Sequence, residues 1–99
     1  MRFIDNQIYT IKLNSGEELI TRIKSFDNGF IVVDEPVAIA PSKQGMGLVP
    51  SMFTADPDAE ARININSISI YALTEDSIKM KYIEAITGIQ VPEKKIVLG

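Results

Sequence analysis

The chain has 99 residues, 45% of them hydrophobic, with ten Lys and Arg against thirteen Asp and Glu, a net charge of −3. One domain with a modest core is what that length allows, and an acidic balance weighs against nonspecific phosphate binding, which needs clustered cations. The complete absence of Cys and His excludes disulfides, thiol chemistry, ordinary structural zinc sites and imidazole acid–base catalysis.

Residues 1–7 read as a short polar lead. The first strand is predicted over Ile8–Leu13, with Tyr9, Ile11 and Leu13 on one face and Thr10 and Lys12 on the other. Asn14-Ser15-Gly16 turns the chain, Gly16 supplying a positive φ. The second strand runs from Glu18 to Phe26, with Leu19, Thr21 and Ile23 inward and Arg22 and Lys24 outward. Asp27-Asn28-Gly29 is a hairpin signal, and the third strand opens at Phe30. Pro36, which has no N–H for a ladder, marks a bend or an edge.

Pro41–Gly47 reads as a loop and Leu48–Phe53 as a short strand. The acidic stretch Thr54–Ala61 reads as surface loop. In Arg62–Leu73, Ile63 and Ile65 share one phase and Ile68 and Ile70 take the other. A one-residue slip flips every later side chain, so a corner or bulge is predicted at Asn66-Ser67. Thr74 reads as a helix N-cap, with Glu75 and Asp76 in the first turn. Ile78, Tyr82, Ala85 and Ile86 form one apolar stripe, and Gly88 reads as the stop. The helix is expected to cap an open end of a barrel, with docking of a partner as the alternative. The tail 89–99 is expected to add an edge strand or touch a neighbouring subunit.

Leu13, Gly16, Leu19, Ile23, Phe26 and Asp27 fall in register on a pattern that resembles the first motif of the Sm-like (LSm) family. The match spans about a quarter of the chain. Leu48-Val49-Pro50 and Tyr82 are also similar to a group of short Sm-like proteins without a settled activity, some from viruses of marine bacteria. The resemblance implies an all-β domain over 1–99: a small, strongly bent five-stranded SH3-like (Sm-type) barrel over 8–73 with a C-terminal α-helix over 74–88. Thr21 stands where the family usually has Gly, which implies a gentler bend.

The family implies a homo-oligomeric ring of about five to seven subunits, closed by head-to-tail edge pairing. The corresponding edges carry Arg62, Ile63, Ile65, Ile68 and Ile70. It also implies single-stranded RNA as ligand, a base being stacked on a ring and hydrogen-bonded by an amide. Here Gly29 replaces the stacking ring, Ile31 the Asn, and Asn64 and Ile65 the later Arg-Gly pair. RNA would therefore need a shifted pocket, for which Asp27, Asn28, Asn64, Asn66 and Lys24 are the candidates. For each Asn the alternative is a turn residue satisfying local backbone.

Lys12, Arg22 and Lys24 form the best basic cluster, on the outer face of the first two strands, and ordinary solvated positions are the competing reading. Asp5, Glu17, Glu18, Asp34, Glu35, Asp56, Asp58 and Glu60 sit in turns or neighbour one another, so no catalytic pair, cofactor or metal is expected. The competing function is a scaffold or viral accessory ring that binds protein through the helix or the tail. MRFIDNQ lacks a signal-peptide core and no run is long enough to span a bilayer, so no membrane partner and a cytoplasmic location are expected, within a bacterial host if the viral likeness holds.

Overall fold

In the computed structural model, which describes residues 2–43, 45–56 and 58–96, the chain opens with a hairpin. Strand β1 (Gln7–Leu13) pairs antiparallel with β2 (Glu18–Asp27), Ile11 facing Leu19. Gly16, at φ +95°, makes the turn that an L side chain would strain. The other edge of β2 is shared by two strands. Leu19 and Ile20 pair with β4 (Val37–Ser42), and Ile23 to Asp27 pair with β3 (Phe30–Val33). Strand β5 (Gly45–Pro50) pairs with β4, and β6 (Ala61–Asn64) pairs with β3. Strand β7 (Ile68–Leu73) returns to the free edge of β1.

Among the described residues the sheet thus has seven antiparallel strands rather than the predicted five, and it is not closed into a barrel. The count rises because two runs are broken. Pro36 interrupts β3 and β4, and the irregular stretches 51–56 and 58–60 lie between β5 and β6. Read through those breaks, the strands lie as five runs in the order β5/β6, β3/β4, β2, β1, β7. Among the described residues the outer edges of β5, β6 and β7 have no strand partner.

Three local expectations are corrected. Pro41–Gly47 is not a loop, since β4 continues to Ser42 and β5 begins at Gly45, with Pro41 opposite Met46. Strand β5 then ends at Pro50, leaving Met52 and Phe53 exposed beyond it. Ile68 and Ile70 do not share a face. Leu13 pairs with Ile68 but Lys12 with Ile70, so Ser69 is an extra residue, and Ile68 turns inward while Ile70 is 63% exposed. The predicted corner is a short 3-10 helix, Ile65–Ser67.

Two cores lie on opposite faces of the sheet. Tyr9, Ile11, Ile23, Ile31, Val33 and Ile68 form the first. Phe3 closes onto it, its ring 5.2 Å from Tyr9 and 4.6 Å from Tyr71, so the lead segment is a structural plug rather than a polar tail. Ile8, Ile20 and Val37 point the other way and meet Tyr82 of helix α1 (Asp76–Ile96), with Ile78 and Ile86 packed alongside. The helix therefore covers a sheet face rather than the end of a barrel, and β1 and β2 are apolar on both sides. The predicted stripe is the buried one, but the ends differ. Thr74 is buried, its hydroxyl 3.0 Å from that of Thr10 and its N–H donated to Ile8 O, so it extends the β1 ladder instead of capping. Glu75 O accepts the first helical N–H groups, from Ile78 and Lys79. The helix passes through Gly88, a residue that a helix tolerates at a cost of about 1 kcal/mol, so 89–96 is helical rather than an edge strand. Residues 97–99 of the predicted tail lie outside the described residues. No described helix is long and apolar enough to cross a membrane.

Candidate nucleic-acid interface

The β2–β3 turn is built on Asn28 (φ +48°) and Gly29 (φ +81°). Positive φ at both central residues is the twist-matched hairpin turn, which is why Asn-Gly occurs here. The 3-10 corner lies against it, because Ile65 N–H donates to Gly29 O at 3.0 Å. Asn64 caps that corner, its side-chain oxygen accepting from Asn66 N–H at 2.9 Å. Ser67 Oγ donates to Asn64 O at 2.7 Å, and Asn14 Nδ2 donates to Asn66 O at 2.8 Å. Asp27, Asn28, Asn64 and Asn66, distant in sequence, are thereby gathered at one end of the sheet. The Asn64 carbonyl side-chain oxygen serves the cap, and its NH2 is the donor the cap does not use.

Lys24 is not part of this group. Its Nζ lies 3.8 Å from Asp34 Oδ1, while Arg22 Nε lies 4.0 Å from Asp34 Oδ2. Two of the three cations in the predicted basic cluster thus share one carboxylate, and Lys12 sits across from Ile70 on β7. Exposed pairs of this kind contribute little stability, but they lower the local positive field that a phosphate track would require.

Two residues join the rim that the sequence does not offer as RNA contacts: Phe30, which it leaves unassigned, and Arg62, which it places at the subunit edge. Phe30 pairs with Asp27 on one side and with Asn64 on the other, and its side chain is exposed. Arg62 reaches back across the sheet, Nη1 to Asp27 Oδ2 at 2.7 Å and Nη2 to Glu60 Oε1 at 3.1 Å. Its guanidinium pKa is raised, chiefly by the hydrogen bonds it donates to Asp27 and Glu60. Gly29 is followed directly by the exposed ring of Phe30. An aromatic directly after a hairpin glycine was the available signal.

Of the candidate interface residues, Ile63 and Ile65 pack half-buried on the first core and Ile68 is buried in it. Arg62 and Ile70 are exposed. The side chains of Ile63, Ile65 and Ile68 hold the chain's own core, and the backbone N–H groups of Ile65 and Ile68 are used within the chain, donating to Gly29 O and Ile65 O. The sequence matches no protein-family model and no curated protein.

Proposed function

We propose that this chain is an Sm-like subunit of a homo-oligomeric ring that presents the Asn28 turn and the Asn64–Asn66 corner to single-stranded RNA. The observation that carries the reading is the Ile65–Gly29 hydrogen bond, which joins the two segments into one rim bearing an exposed ring, Phe30. An aromatic face stacks any base, and amide groups beside it hydrogen-bond base edges. The five-run strand order and the 3-10 corner between β6 and β7 support a bent Sm-type barrel, and the unpartnered edges of β6 and β7 support head-to-tail pairing between copies. Because the chain is acidic, such binding would rest on the pocket more than on counterion release.

The test is fluorescence anisotropy with labelled U-rich and A-rich single-stranded RNA at low and moderate salt. Saturable, base-selective binding that survives moderate salt and falls in Phe30→Ala supports the reading. No binding at low salt refutes it.

A protein-binding scaffold is the second reading, and one observation favours it. Met80 is 58% exposed and Ile83 38% exposed, on the side of α1 turned away from the sheet. Two apolar side chains at i, i+3 on a solvated helix face suit a partner of matching apolar surface.

A further inference from the structure

The outer edge of β5 carries a second interaction surface, separate from the β6 and β7 edges. Ser51 N–H donates to Pro36 O at 3.1 Å, so the pair 36/51 is a hydrogen-bonded one. Antiparallel pairs alternate between bonded and non-bonded. Counting along the register from there, Val37↔Pro50, Ile39↔Leu48 and Pro41↔Met46 are the non-bonded pairs. The backbone N–H and C=O groups of Met46 and Leu48 therefore point away from β4, toward the open edge. The two prolines agree with this parity, since neither is asked for an N–H across the β4–β5 ladder.

The same two residues line a groove. Met46 and Leu48 on β5 and Lys81, Glu84 and Ala85 on α1 line a shallow, open surface groove of about 310 Å³. A strand added to this edge places the residues opposite Met46 and Leu48 on the same side of the sheet, over that groove. The occupant must then be extended, uncharged on alternate residues, and apolar on the two that enter. Met46-Gly47-Leu48 is itself such a segment. Strand β5 has no charged residue to blunt its edge, and Pro50, whose ring nitrogen faces outward, lies past the Met46–Leu48 stretch.

We propose that β5 pairs antiparallel with β5 of a second copy, about a twofold axis at Gly47. Met46 then faces the partner's Leu48 and Leu48 the partner's Met46, as hydrogen-bonded pairs. Gly47 meets its own counterpart at the non-bonded crossing, where strands approach most closely and a side chain is absent. The twofold brings the two grooves together with their helices antiparallel. Each groove is lined by both Lys81 and Glu84, so the two facing rims bring charges of both signs to the contact. The contact is isologous and closes on itself. It does not depend on whether the β6 and β7 edges also pair.

The experiment is the solution mass of the full chain by sedimentation equilibrium and native mass spectrometry at moderate salt. Met46→Pro removes an N–H that β4 does not use, so the β4–β5 ladder survives while the edge is blocked. Its mass is expected to be half that of the unmodified chain, whether the parent is a dimer or a pair of rings. Glu84→Lys, an exposed change that leaves the strand intact, is expected to halve the mass as well. The double exchange Lys81→Glu with Glu84→Lys is expected to restore it. A parent assembly with an odd number of subunits overturns the proposal. So does a Glu84→Lys variant of unchanged mass, or a folded Met46→Pro variant of unchanged mass.

Discussion

The Tyr82 hydroxyl donates to Glu35 O at 3.0 Å and accepts from Arg22 N–H at 3.3 Å, from a side chain with no exposed surface. One phenol on the helix thus serves the backbone at the place where Pro36 breaks the β3–β4 run. Nearby, Asp34 N–H donates to Arg22 O, and the Thr21 hydroxyl donates to Asp34 O. A sheet interrupted this close to its core would otherwise leave polar backbone groups without partners. Thr21 and Tyr82 supply them, from the strand and from the helix.

Replacing Tyr82 by Phe keeps the ring in its pocket and removes both hydrogen bonds. The expected loss is about 1–3 kcal/mol, from the removal of two part-buried hydrogen bonds to the backbone. Urea unfolding followed by circular dichroism measures it, with an unchanged slope. Tyr82→Ala is expected to lose more, about 3–5 kcal/mol, by opening a cavity between the helix and Ile8, Ile20 and Val37.

Burial pushes the Tyr82 phenol above its ordinary value of 10.0, the largest cause being desolvation of the phenolate. The folded state thus holds the proton more tightly than the unfolded one. Stability from this source is complete below the unfolded value and declines as pH rises through it toward the folded value. Urea midpoints taken at pH 8, 10 and 11 should fall more steeply for the parent chain than for Tyr82→Phe. Equal slopes would show that the phenol is not held neutral.

Thr21→Val preserves shape and deletes the hydroxyl that serves Asp34 O. A loss of about 1–3 kcal/mol is expected from the orphaned carbonyl. Thr21→Gly, the residue the Sm-like pattern carries there, removes that bond and packing as well, and should be the less stable of the two in thermal melts.

Asn64→Ala deletes the cap of the 3-10 corner, with an expected cost of about 0.5–2 kcal/mol. Phe30→Ala lies on the same rim but caps nothing. Measured side by side, Asn64→Ala should lower both the melting temperature and RNA affinity. Phe30→Ala should lower affinity by about tenfold, the equivalent of one stacked base, with the weaker effect on melting. RNA affinity unchanged in both variants would remove this rim from consideration.

Ile70→Lys places a charge on the exposed outer edge of β7, where the side chain is 63% exposed and makes no core contact. Monomer stability should be unaffected, while a ring that closes through this edge should dissociate on gel filtration with light scattering. A mass equal to the parent's would separate β7 from the subunit contact.

Periodicity and turn chemistry alone specified the first hairpin, the Asn28-Gly29 turn, the corner after Asn64 and the buried stripe of Ile78, Tyr82 and Ile86, because each depends on residues close in the chain. The lack of Cys and His fixed what chemistry is excluded in the same direct way. What lay beyond the sequence was anything set by contact between distant segments. Ile8 and Ile20 look like the solvent side of alternating strands until a helix some sixty residues later covers them. Thr74 looks like an N-cap until the β1 ladder and the Thr10 hydroxyl claim it. Ile70 looks in phase with Ile68 until Ser69 bulges and turns the two to opposite faces. The gathering of Asn28, Phe30 and Asn64 into one rim rests on a single hydrogen bond from Ile65 to Gly29. Local pattern encodes what a segment prefers, and the tertiary structure decides which of its faces finds a partner.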